Sequence, residues 1–227
     1  MTPRTDAARR PSLTRERVLD AAVALADRSG IAALTIRALA VELDTKPMSL
    51  YHHVAGKDAI LDGVVDRVFA EVDDPPADLP WREAIRHRCV SARSVLRRHP
   101  WAPPLMESRQ NPGPATLAHH EAVLACLRRG GLDWQLVAHA YALIDAFVYG
   151  FALQEATLPF EGTAEIADLA DQMVAAFPEG AYPTLAAFTT QHVLRPGYSF
   201  GDSFGFGLDL LLDGLEAARW AGGAPRP

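Results

Sequence analysis

Residues 34–57, LTIRALAVELDTKPMSLYHHVAGK, constrain the fold more than any other stretch of this chain. Thr35 is a hydroxyl residue that can accept hydrogen bonds from free backbone N–H groups at a helix start. Ile36, Leu39 and Leu43 then repeat at three and four residues, the spacing of one helix face. Asp44-Thr45 breaks that pattern. Thr45 can cap a second helix, and Pro47 is tolerated there because it falls in the first turn. In that second helix Leu50 and Val54 share an inward face, while Lys46, Ser49 and His53 share another. A cation, a hydroxyl and an imidazole on one face suit phosphates and base edges better than a core. Two short helices around a tight break, with a polar outer face on the second, make a helix-turn-helix. In that arrangement the second helix lies in the major groove.

The flanking residues extend this into a three-helix head. The periodicity predicts a first helix from about Arg15 to Ser29, capped by Thr14, with Val18, Ala22, Leu25 and Ala26 inward and Gly30 as its stop. These side chains would pack on Leu34, Leu39, Leu43, Leu50 and Val54. A fourth helix is expected over Lys57–Val72, carrying Ile60, Leu61, Val64, Val65 and Val68. Residues 1–12 hold two prolines and three arginines. They read either as a solvated tail or as a flexible arm in which Arg4, Arg9 and Arg10 follow a DNA groove.

Charge agrees with this division. Residues 1–57 hold nine Lys/Arg against six Asp/Glu, a net of +3. The chain's formal charge is −6, so the remainder carries −9. A basic module on an acidic body is the electrostatic pattern of a DNA-binding head.

The residues 34–40, then Ser49-Leu50-Tyr51-His52-His53-Val54, then Lys57, resemble the DNA-binding domain of the tetracycline-repressor (TetR) family. The similarity runs from about Thr14 to Leu61, with several signals keeping their mutual spacing. It implies an all-α fold: an N-terminal three-helix helix-turn-helix head on a helical-bundle body that binds an effector and dimerises. The corresponding boundaries are residues 1–60 for the head and 61–227 for the body. The resemblance further implies that Arg37 reads bases, since a bidentate arginine suits guanine. Lys46, Pro47, Met48 and Ser49 stand at the front of the recognition helix. Thr35, Tyr51, His53 and Lys57 are placed for phosphates. Asp44 stands where the family often has glycine, and aspartate tolerates the left-handed turn needed there.

Beyond residues 73–80, DDPPADLP, which read as a linker, the pattern is helical. Helices are expected over Trp81–His99, Ala115–Arg129, Trp134–Thr157, Glu165–Phe177, Thr184–Val193 and Ser203–Trp220. One short helix near Leu105 is expected inside the proline-rich Pro100–Pro114. Phe204, Leu208, Leu211 and Leu215 share a face of the last helix. Residues 138–153 and 204–215 are apolar nearly all round, so both must be buried on several sides. A homodimer in which each subunit gives two helices to a four-helix bundle satisfies that; a monomer covering both is the alternative. Gly201, Gly205 and Gly207 would permit close backbone approach at such an interface. Trp101, Leu105, Met106, Phe147, Phe151 and Gln154 are candidate lining for a small-molecule pocket, with plain core packing as the competing reading. Tetracycline-binding members hold a drug-bound magnesium through a histidine near the position of Leu105, so tetracycline is not the expected effector.

Other chemistries find less support. No apolar run reaches the ~18 residues of a membrane span, and the N-terminus has no apolar centre, so a cytoplasmic protein is expected. Cys89 and Cys126 lack a zinc or redox spacing and read as buried thiols. The histidines of the body, including His99, His119 and His120, read as scattered surface or pocket residues with no metal-ligand spacing. No cofactor is expected. Residues 197–201 and 201–205 both fit G-x-S-x-G, but no histidine follows His192 and no strand precedes them. They read as a loop and helix entry, and no enzyme activity is expected. The expected partners are double-stranded operator DNA and a small-molecule effector. The alternative from another class is an all-α small-molecule-binding or enzymatic domain whose head no longer binds DNA.

Overall fold

The computed structural model describes residues 12–158, 178 and 181–221, with side chains through Arg219. Residues 1–11 of the expected arm and the expected helix Glu165–Phe177 lie outside the described residues. The described elements are helical, with no strand among them. They run α1 Arg15–Ser29, α2 Ile36–Glu42, α3 Pro47–Leu50, α4 Lys57–Ala70, α5 Trp81–Arg98, α6 Pro103–Ser108, α7 Pro114–Arg129, α8 Trp134–Thr157, α9 Pro183–Phe188 and α10 Ser203–Ala221. The chain forms two compact units. One contains the residues up to Asp74 with Ser94–Val123; the other contains Pro75–Arg93 with the residues from Leu124 onward. Helices α5 and α7 each supply residues to both.

In the first unit α1 starts where the sequence places it: the Thr14 hydroxyl accepts from the Arg17 N–H at 3.3 Å. It stops at Gly30, whose φ of 76° is open to glycine and whose N–H donates to the Ala26 carbonyl at 2.8 Å. Val18, Leu19, Ala22, Leu25 and Ala26 are buried together with Leu34, Leu39, Ala40, Leu50 and Val54, forming the head's core. Helix α4 adds Ile60, Val64, Val65, Val68 and Phe69 to it. It approaches α1 closely at Gly63, where any Cβ would strike the Leu19 side chain.

In the second unit α8 and α10 pack on each other. Phe204, Leu208, Leu212 and Leu215 are buried; Leu212 takes the inward place expected of Leu211, because the helix presents 204, 208, 212 and 215 to its neighbour. Arg82 pairs with Asp213, and Arg86 with Asp209 at 3.0 Å. Ascending on α5 while descending on α10, these pairs show that the two helices are antiparallel. All four side chains are at least a third exposed, so each pair contributes only ~0–1 kcal/mol. A different pair lies in the interior. Arg88 is 1% exposed and meets Asp145 of α8 at 2.9 Å. Burial is the largest single influence and works against the charged guanidinium, but the Asp145 carboxylate together with Tyr149 and Cys89 raises the Arg88 pKa. Tyr149 is pushed up as well, by burial first and by the Asp145 charge second.

Helix α8 is long and apolar enough to cross a membrane by length and composition. Its buried Asp145, paired with Arg88, and the packing of α10 against it are what the core helix of a helical bundle shows.

Several expectations are corrected. Thr45 does not cap α3: Lys46 occupies the N-cap without a side-chain bond, and the Thr45 N–H instead closes the turn onto the Ala40 carbonyl at 2.9 Å. The expected Thr184–Val193 helix is α9 followed by a π-helical turn at Thr189–Val193. His99 and His119 are buried rather than superficial, because each meets a carboxylate: His99 meets Asp27, and His119 meets Asp74 at 3.2 Å.

Cys89 and Cys126 are free and buried. Burial pushes the Cys89 thiol up to about 11 and raises that of Cys126. At Cys89 this leaves about a hundredfold less thiolate than an ordinary cysteine at the same pH, and the rise at Cys126 acts in the same direction. Both thiols are therefore expected to resist an aromatic disulfide reagent at pH 8 and to react promptly in denaturant. Stoichiometric labelling of the native protein within minutes would contradict this.

Candidate nucleic-acid interface

The head's outward surface is built by two short helices and the turn between them. Thr35 lies in extended backbone before α2, and its side chain accepts from the Ala38 N–H at 3.1 Å. That hydroxyl therefore serves as a cap while remaining exposed. Arg37 follows on the exposed face of α2. Asp44 adopts the left-handed conformation expected of it, with φ 47°. The turn then delivers Lys46 and Pro47 to the start of α3, both exposed, with Pro47 in the first turn where no N–H is missed.

Leu50 and Val54 are buried beneath α3 and its following turn, as their spacing requires. Met48 is 72% exposed and Tyr51 49% exposed. Ser49 and His53 are half-buried, and Lys57 is exposed at the first position of α4. The nine sequence-derived residues thus lie on α2, α3, their flanking turns and the start of α4, none of them in the core. An apolar methionine held in water has little value to an isolated fold; a groove that offers methyl groups gives it a use.

The six pocket candidates divide between the units. In the first, Trp101 is buried and its indole N–H donates to Asp27 at 2.7 Å, while Leu105 and Met106 are half-buried on α6. In the second, Phe147 and Phe151 join Phe200 and Phe204 in one aromatic cluster, with Phe151 stacked on Phe200 at 4.7 Å between centroids. Gln154 is exposed. Sequence reasoning missed Arg93, whose guanidinium lies over Phe151 at 5.1 Å and over Phe204 at 4.8 Å. Glu155 holds it through two bonds of 3.0 and 2.6 Å. Only the pairing of Arg and Glu with flanking phenylalanines on separate helices hinted at it, and periodicity does not reveal such a match.

The first G-x-S-x-G serine is structural. The Ser199 hydroxyl accepts from the Gly201 N–H at 3.2 Å and leads through the 3-10 turn Phe200–Asp202 into α10, a loop and helix entry as expected. Among the described residues no group of three or more His, Cys, Asp or Glu side chains is placed to hold a metal ion.

Comparison with known proteins gives this surface a context. Residues 18–64 match the family model of bacterial regulatory proteins of the tetR family, and residues 74–219 match the tetracyclin repressor-like C-terminal domain. The chain is similar to the HTH-type transcriptional repressor DrrR1 of Streptomyces coeruleorubidus, 35% identical over 219 residues, covering 91% of this chain and 78% of that one. Among solved structures it is similar to apo ActR from Streptomyces coelicolor, with a TM-score of 0.78 at 28% identity, covering 94% and 99% of the two chains. It is also similar to BioQ of Mycobacterium smegmatis, solved with its double-stranded DNA operator, with a TM-score of 0.64 at 26% identity over 91% and 99% of the chains. The two family models and the similarity to DrrR1 together span most of the sequence, and this chain belongs to the TetR family of bacterial transcriptional regulators.

Proposed function

We propose that the protein is a homodimeric repressor that reads a near-palindromic operator and releases it when a small molecule binds the body. The observation that carries this reading is the exposure of Arg37, Lys46, Pro47, Met48 and Tyr51 above a core closed by Leu39, Leu50 and Val54. Arg37 is the base reader. Pro47 and Met48 meet thymine methyls. Lys46, Ser49, His53, Tyr51 and Lys57 hold phosphates, and Thr35 joins them while capping α2. Residues 1–60 make the DNA contacts; residues 61–227 bind the effector and dimerise.

The dimer is supported by apolar side chains left in water on the two helices that pack together: Leu143 and Leu153 on α8, Phe206 and Leu210 on α10, at 53%, 43%, 70% and 58% exposure. Two copies of this pair form a four-helix bundle. BioQ was solved with operator DNA, and ActR with actinorhodin, which supports a ligand-released operator here. In this chain Phe147 and Phe151, beside Arg93, are the effector contacts we favour, because an aromatic cluster with one fixed cation grips a flat, polar-edged molecule. The effector must bind the DNA-incompetent state more tightly, since equal affinity shifts nothing.

Footprinting on the DNA upstream of the protein's own gene, at 50 and 200 mM salt, tests the reading. A protected palindrome with half-sites about 34–36 Å apart is expected. With six or more phosphates neutralised, affinity should fall by about a thousandfold or more between the two salts. Uniform weak protection without a palindrome would reject sequence-specific repression.

A further inference from the structure

We propose that the groove beside the start of α10 is a second small-molecule site, built for an aromatic carboxylic acid that also carries a hydroxyl or amino donor. The groove holds about 380 Å³, within the range of ligand sites, and is lined by His192, Arg195, Tyr198, Ser199, Asp202 and Phe206. It is separate from the effector contacts favoured above. The turn 198–202 divides the two: Phe200 stacks on Phe151, while Tyr198, Ser199 and Asp202 line the groove.

The backbone builds the groove's wall in an uncommon way. After α9 it widens into the single π-helical turn Thr189–Val193, where the Leu194 N–H donates to the Thr189 carbonyl at 2.9 Å. Such single turns are rare and recur at functional sites. Gly197, at φ 84°, then carries a turn in which the Tyr198 N–H donates to the Arg195 carbonyl at 3.1 Å. The result is a ladder of three rings, with Phe188 and His192 centroids 5.4 Å apart and those of His192 and Tyr198 5.3 Å apart. The ladder holds the imidazole by its faces and edges. Among the described residues the His192 side chain makes no hydrogen bond, so its nitrogens are left to the groove.

The charges point to the ligand. In this unit Arg82, Arg86, Arg88 and Arg93 each meet a carboxylate. Arg195 and Asp202 both line the groove, yet among the described residues neither has an ion-pair partner, and they do not close on each other. The Ser199 hydroxyl accepts from the Gly201 N–H at 3.2 Å and keeps its own proton to donate. Arg195, His192 and Ser199 thus offer donors to a carboxylate, which the arginine fork suits. Asp202 accepts only, and asks for a donor. Half-buried Tyr198 and the 70% exposed Phe206 supply aromatic faces. An inorganic anion would leave these rings in water, and a neutral hydrocarbon would leave both charges unanswered. Phe206 also stands on the face proposed for the second copy, so the groove opens at the edge of that face.

Isothermal titration of the full-length protein with 3-hydroxy-2-naphthoate tests the site. The comparison probes are 2-naphthol, which lacks the carboxylate, and 2-naphthoate, which lacks the hydroxyl. Saturable binding of the hydroxy acid is expected, with 2-naphthol about tenfold weaker, the scale of one hydrogen bond to a charged group. Arg195→Ala should weaken the hydroxy acid by about tenfold and leave 2-naphthol unchanged, and Arg195→Lys should regain part of the loss. Asp202→Ala should weaken the hydroxy acid but leave 2-naphthoate no weaker. Both residues are exposed, so these changes should leave the fold intact, which thermal unfolding checks. Full-strength binding of the hydroxy acid by Arg195→Ala would place the probe elsewhere, such as on Phe147 and Phe151, and overturn the groove as its site. Absence of saturable binding to the wild type would overturn it as well. Neither result bears on operator reading, which is measured on DNA alone.

Discussion

Asp145→Ala is expected to cost about 3–5 kcal/mol of stability, because it leaves a buried guanidinium without its counter-charge. Arg88 is 1% exposed, and Asp145 meets it at 2.9 Å across α5 and α8. The cost is that of the orphaned charge and not the worth of the pair. Replacing both partners by apolar residues of similar size, Arg88→Met/Asp145→Leu, should therefore regain most of what the single change loses. Urea unfolding of the three proteins, read at the same pH, measures this. A loss below about 1 kcal/mol for Asp145→Ala would mean that water reaches the guanidinium, contrary to its burial. Because Asp145 stands on the helix that also carries exposed Leu143, the single change should loosen dimerisation too, and a dilution series would show it.

Arg37→Ala is expected to weaken the selected operator by about 1–3 kcal/mol, roughly 5- to 150-fold, and to relax preference at one base pair in each half-site. Lys46→Ala should behave differently. A phosphate contact carries no sequence information, so all duplexes weaken alike and the salt slope falls by about one unit per head. The two variants are exposed substitutions on caps and short helices, so neither should alter thermal stability much. Competition binding against single-base operator variants separates them. Equal loss on every duplex for both variants would show that Arg37 touches only phosphate. No loss for either would place the reading surface elsewhere on the head.

Much of this protein was legible in its sequence because the relevant signals are short-range. Thr14 and Gly30 bound α1, Thr35 caps α2, and Asp44 takes the left-handed turn, each within four residues of what it acts on. The inward residues Leu39, Leu50 and Val54 follow from helical period alone. The same reasoning failed where two local solutions compete. Thr45 is the better cap by residue type, but the turn that its N–H closes onto the Ala40 carbonyl places it one residue before the N-cap, and Lys46 takes that position without a side-chain bond. Leu211 and Leu212 are adjacent and equally apolar, and only the packing on α8 settles which turns inward.

The sequence by itself determined the helix-turn-helix, the all-α class and which residues of the head face outward, because helix periods, caps and turns are written in neighbouring residues. The tertiary structure alone decided the Arg88–Asp145 pair and the aromatic seat of Arg93. In each of these the partners stand dozens of residues apart, and a charge carries no mark of the partner it will meet until packing brings the two together.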